Sequence, residues 1–338
     1  VRVTKHTISG SSSSRAITAQ RGTGSVVAWA GGNQKVKVLP LGADDGAAGG
    51  ELSVDGTQVF GAAATADDIA LLVSRAPDYM TFTRIDSGGA KLASADLVGG
   101  GDHKVQGVEW FGEFAKTGRM VARDDGTYAA YHALHRLWPD DIGHQGDTLR
   151  LLTKDGTPIN GGWGWGCSHS MDQRLAVGPS GLVPVCISDC YPEKGIWFNH
   201  KKAKITDDPG ANCAGKFTTL LGGLVAVQGG FFLVYQDAQG GAKLGRFDSN
   251  GKALSTRDLA TPGSSRLAAY GGGLLLGSPK GKGTLIERLD AEGKPTGEEV
   301  EVEVPPPDQD FEGRKDGEVA WASVSGTSLT VVRIQACP

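Results

Sequence analysis

The stretch Arg266–Gly277, RLAAYGGGLLLG, reads as a strand, a tight turn and a second strand. Apolar residues flank a run of glycines, and glycine adopts the positive φ of a hairpin turn at no steric cost. The same phrase recurs along the chain. Copies are RAITAQRGTGSVVAW at Arg15–Trp29, AAATADDIALLV at Ala62–Val73 and RMVARDDGTYAAY at Arg119–Tyr131. RLAVGPSGLVPV at Arg174–Val185, LVAVQGGFFLVY at Leu224–Tyr235 and EGRKDGEVAWAS at Glu312–Ser323 complete the set. A hairpin repeated at intervals of tens of residues marks a repeat architecture.

A second pattern follows the first. A β-rich segment ends in Asp, with Gly within three residues, at Leu39–Gly46, Phe82–Gly89, Leu149–Gly156, Lys204–Gly210, Leu244–Gly251 and Leu285–Gly293. Taking Asp44, Asp86, Asp155, Asp207, Asp248 and Asp290 as markers, the steps are 42, 69, 52, 41 and 42 residues. Each repeat then reads strand A, tight turn, strand B, loop, strand C, Asp–Gly turn, strand D. The last repeat ends on the strand Leu329–Ile334 and lacks strand D, while Val1–Ile8 is a strand with no A, B or C before it. Pairing the two would close a ring and leave neither end a bare edge. With these steps, the chain resembles a seven-bladed β-propeller of four-stranded antiparallel blades. The resemblance covers residues 1–338 as one all-β domain, with an enlarged third blade and a blade 3/4 junction at about residues 99–200. It implies architecture and not chemistry, because no repeated Trp-Asp dipeptide or kelch signature accompanies it.

Composition narrows the partners. Lys and Arg number 34 against 38 Asp and Glu, a net charge of −4, which argues against a dedicated binder of nucleic acid or anionic membranes. No apolar run nears the roughly 18 residues of a membrane span, and a monomer is expected. The 52 glycines, about twice the usual share, belong to the turns. Five cysteines include no C-x2-C pair, so a structural zinc site lacks support. Cys167, Cys186, Cys190 and Cys213 instead suit disulfides in an oxidising compartment, and a secreted, periplasmic or cell-surface location is expected. The expected pairing is Cys167–Cys190 with Cys186–Cys213, leaving Cys337 over.

In such a blade the B–C loops and the D–A links between blades emerge on one face, and these segments vary. GGGDHKVQGVEWFGEFAKTG (Gly99–Gly118) leads into the third blade and carries His103, Glu109, Trp110 and Glu113. HALHRLWPDDIGHQGD (His132–Asp147) reads as its B–C loop; GGWGWGCSHS (Gly161–Ser170) and SDCYPEKGIW (Ser188–Trp197) follow in the next link and the next B–C loop. Such loops carry function more often than the elements they join.

Three chemistries fit this cluster. A carbohydrate or other polar ligand would stack on Trp163, Trp165 and Trp138, with Asp147, Asp189 and Tyr191 on its hydroxyls. Imidazoles at His132, His135, His144 and His169 would suit Zn or Cu and a metal-dependent enzyme acting on polysaccharide or peptide. His132 and His135 share a side only if the strand ends near His132. The third reading is a protein-interaction scaffold with an aromatic hot spot. The arginines Arg15, Arg119, Arg174 and Arg266 each precede a turn glycine by seven residues. They should ring the channel mouth on the same face, either binding an anion, with Arg174 and Arg119 as ligands, or bracing neighbouring blades. The leading expectation is an exported binding protein.

Overall fold

A computed structural model describes residues 1–75, 78–112, 117–169, 172–200, 202–213 and 216–336; Glu113 and Cys337 lie outside them. The described residues form seven antiparallel sheets. Blade 1 runs Ala16–Arg21, Gly24–Gly32, Lys35–Leu41 and Leu52–Asp55 in spatial order A to D, and five further blades repeat this order. The seventh is assembled from both ends of the chain. Its strands Glu312–Gly313, Val319–Ser325 and Ser328–Ile334 are completed by Arg2–Thr7, which pairs antiparallel with the last of them from Arg2↔Arg333 to Thr7↔Ser328. The chain is therefore a seven-bladed β-propeller closed by its N-terminal strand.

Sequence explains the layering. B strands such as Gly24–Gly32 carry unbroken apolar runs, with Val26 to Ala30 all buried, because both faces of each blade are covered by neighbours. D strands such as Pro295–Val302 are exposed and polar at the rim. Seven apolar clusters result, one between each adjacent pair of blades. The Asp–Gly turns serve this packing. Gly251 has φ +83°, and a Cβ there would lie 2.7 Å from both Ala203 and the Phe198 ring of the preceding blade. Asp248 holds that turn by accepting hydrogen bonds from the Asn250 and Lys252 amides.

Ring closure adds a buried ionic clasp. Asp45, 1% exposed in the C–D turn of blade 1, accepts from Arg333 of blade 7 at 2.9 and 3.0 Å and from Arg2 at 2.7 Å. Burial works against the Arg333 charge, but Asp45 and Glu318 outweigh it and hold its pKa above the ordinary value.

Three expectations are corrected. Lys204–Gly210 is not a strand C with its turn: Gly195–Phe198 is strand C of blade 4 and Ala203–Asp207 is strand D, so Gly210 belongs to the following link. His132–Asp147 is not a loop either. Strands Tyr128–Leu137 and Gly143–Leu152 stay paired to Leu137↔Gly143, so the hairpin projects past strand A of its own blade. The short strand Glu109–Trp110 pairs with the projecting part at Arg136 and His135. Finally, the disulfides are Cys167–Cys186 and Cys190–Cys213. Cys186 faces inward from strand B of blade 4, where it meets the link carrying Cys167 rather than the next link.

Candidate functional site

The projecting hairpin of blade 3 explains where the aromatic and histidine residues go. Alternation along Tyr128–Leu137 sends His132 and His135 to opposite sides. His135 lies on the outward part, stacked on Trp110 at 5.5 Å, and Trp110 in turn stacks on His103 at 4.4 Å. His103 Nε2 lies 3.1 Å from Asp78. The next layer holds Arg136 over the rings of Trp138 and Trp165, at 5.3 and 5.6 Å, with the two indoles edge to face at 5.3 Å. Trp165 also packs against the apolar cluster between blades 2 and 3. Beyond them, the His144 and His169 rings stack at 6.4 Å; His144 lies 3.3 Å from Asp140 and His169 Nδ1 lies 3.3 Å from buried Asp189.

Both disulfides clamp this rim. Cys167–Cys186 ties the link after blade 3 to strand B of blade 4, and Cys190–Cys213 ties the B–C loop of blade 4 to the next link. Backbone bonds reinforce them: Ser168 N–H donates to the Tyr191 carbonyl at 2.7 Å and His169 N–H to that of Gln145 at 2.7 Å. The Tyr191 side chain remains 41% exposed, beside His200 at 6.0 Å between ring centres.

Other expected site residues sit inside the molecule. Asp147 is fully buried, accepting from Tyr131 Oη at 2.8 Å and Trp163 Nε1 at 3.2 Å. Burial, then the Asp147 charge, pushes the Tyr131 phenol well above its ordinary pKa. Trp163 meets Tyr131 edge to face and stacks on His200 at 5.6 Å. His132 is fully buried; its Nδ1 lies 2.9 Å from the Ala133 carbonyl and its Nε2 has no hydrogen-bond partner among the described residues. Desolvation lowers the pKa of His132 to about 4, and that of His135 likewise to about 4, aided by the nearby His169 and His103.

Metal geometry follows from this placement. His132 is separated from the rim, and His135, His144 and His169 do not gather their nitrogens within coordination reach. Among the described residues, the one triad of potential ligands that does is Asp147 with Cys167 and Cys186. Those two sulfurs are bonded to each other, which removes the thiolates a metal needs. The described residues thus do not assemble a donor set that fits a resident Zn or Cu.

The arginines converge on the channel as their spacing implies. Arg119 donates to Asp310 at 2.8 Å and to the Gly118 carbonyl at 2.8 Å. Arg174, 1% exposed, donates to Asp172 at 2.6 Å and to the Gly222 and Leu221 carbonyls, and lies 3.2 Å from Asp310. Arg266 binds the Pro307 and Asp308 carbonyls. Burial, and then Arg174, lower Arg266 to about 10; burial and then Arg119 lower Arg15. Asp310 and Asp308 belong to the link between blades 6 and 7, which crosses the channel to blade 3. Nothing local to that link in the sequence announces partners nearly two hundred residues away. Arg119, Arg174 and Arg266 are engaged by this crossing and by carbonyls, the arrangement of a brace, while Arg15 lies over the Phe60 ring at 4.8 Å.

No family model and no curated protein matches the chain. Among solved structures, the one described as BBS1N in complex with ARL6DN, soaked with lead, is similar over 98% of this chain and 95% of that one, at 11% identity and a TM-score of 0.52. The WD40 domain of Toxoplasma gondii coronin is similar over 98% of this chain and 86% of that one, at 10% identity and a TM-score of 0.54. At these identities the likeness shows the fold alone.

Proposed function

We propose that this propeller is an exported binding protein whose ligand docks on the rim where blades 3 and 4 meet. The carrying observation is the projecting hairpin with its neighbouring links, a surface of imidazoles and aromatic rings clamped by two disulfides. Rigid loops bind without the ordering cost of flexible ones. The disulfides fit an oxidising environment and hence export. A carbohydrate or similar polar ligand suits short polar groups beside ring faces. Trp163 and Trp165, the platforms expected from sequence, are engaged in packing. Exposed Tyr191, with Trp138, His144 and His169, takes their place in this reading.

A glycan array probed with the wild type, Trp138→Ala and Tyr191→Ala tests it. Binding weakened about tenfold or more in both variants, without change in thermal midpoint, is expected. A ligand retained by both variants refutes the site, and no glycan signal refutes the ligand class. The second reading, a protein partner, draws on the exposed apolar side chains Val105 (52%) and Ile142 (55%) in the segments around the projecting hairpin. The propeller crystallised as BBS1N in complex with ARL6DN has a protein bound. A silent glycan array together with a soluble partner captured by the wild type and lost in Ile142→Asp would favour that reading.

A further inference from the structure

The axis of the ring holds a cavity of about 710 Å³. Gly22, Thr65, Asp124, Gly126 and Lys315, from the A–B turn side, line its mouth. Towards the other face it is floored by Gln309 and Asp310, which bond across the ring to Gly118 and Arg119. The cavity therefore opens away from the rim described above. Its size lies in the range of small-molecule sites, about 300–1,000 Å³.

Its walls are mostly small and apolar, with Thr18, Gln20, Arg119 and Arg123 also lining it, Arg123 being held by Thr127 and Asp125. Six inner strands contribute Ile17, Ala62, Val121, Ala176, Ala226 and Ala268, small or branched and without a polar atom. The seventh contributes Glu312. One oxygen of Glu312 accepts from the Gln20 amide at 3.0 Å; the carboxylate takes no other hydrogen bond from a described residue, and its second oxygen is not sealed from the cavity. The nearby cations are committed elsewhere. Arg314 donates to the Gly24 and Thr23 carbonyls, to Ser25 and to Asp316, and Arg119 is held by Asp310. A carboxylate on a largely apolar wall, whose neighbouring arginines are engaged by other partners, is what an organic cation would complete.

We propose that the axial cavity is a second binding site, for a small organic ammonium ion whose compact apolar body packs on the alanine walls while its N–H groups donate to Glu312. Supporting this, desolvation raises the Glu312 carboxyl to about 7, so a cationic ligand would restore the ionised form. Asp124 and Lys315, of opposite charge at the mouth, leave the charge selection to Glu312.

The test is a panel of primary alkyl and aryl amines, each paired with the alcohol of the same skeleton, followed by saturation-transfer NMR and calorimetry on the intact chain. At least one amine should bind tenfold or more tightly than its alcohol. That preference should vanish in Glu312→Gln, which still accepts the Gln20 hydrogen bond and so keeps the fold. Ala176→Leu with Ala226→Leu, which fill the cavity without touching the carboxylate, should abolish binding, whereas Trp138→Ala should leave it intact. Amines bound equally by Glu312→Gln, bound equally with their alcohols, or bound by the filled variant would overturn the proposal, as would a panel that is silent throughout. Failure of the rim reading shows separately, in Trp138→Ala and Tyr191→Ala.

Discussion

At the scale of single residues, burial decides chemistry. His132 is neutral because its ring is walled in, and this has a consequence for acid stability. Its pKa falls from 6.5 in an open chain to about 4 in the fold. The unfolded state thus binds the extra proton, so the associated stability is present above pH 6.5 and is lost as pH falls towards 4. The amount at stake is about 3 kcal/mol. In His132→Leu, the difference in unfolding free energy between pH 7 and pH 4, measured in urea, should shrink by that order. An unchanged difference would place the acid sensitivity elsewhere, His135 being the next group to examine. The sequence displayed His132 and His135 as a pair. Only the length of the strand through Leu137 reveals that they face apart, and strand length is set by pairing with Gly143–Leu152, which a local reading does not contain.

Elements show the same division between what is local and what is not. The A–B hairpins and the Asp–Gly turns were legible because a turn needs its glycine and its Asp side chain within a few residues, as at Asp248–Gly251. The cysteine pairing was not, because it depends on which way Cys186 points from its strand. That pairing matters most where it stands. Among the described residues, the interface between blades 3 and 4 has the smallest buried apolar cluster of the seven, and the Cys167–Cys186 sulfurs lie within it alongside Tyr131. Removing the bridge, as Cys167→Ala with Cys186→Ala, opens a loop of 19 residues and should cost about 3 kcal/mol. Chemical denaturation of the variant checks the figure. A cost below about 1 kcal/mol would mean that side-chain packing alone holds the two blades.

For the whole molecule, the ring and its closure were readable from the sequence, since a strand without a blade at one end matched a blade without a strand at the other. The clasp that secures it was not, because Asp45 and Arg333 are 288 residues apart. Asp45→Ala leaves Arg333, 1% exposed, without its main partner. Breaking a buried pair in this way should lower stability by about 3–5 kcal/mol. The thermal midpoint of Asp45→Ala, compared with that of an exposed control such as Asp55→Ala, measures it. Equal midpoints would show that the strand Arg2–Thr7 is held by its ladder alone. The closure also orders events in time. During synthesis Arg2–Thr7 emerges before the other strands of the ring, yet its partner Ser328–Ile334 emerges only after six blades have been made. Six blades can stack while the growing chain lengthens, but the circle stays open until Ser328–Ile334 has been made. Until then the first strand waits as an unpaired edge.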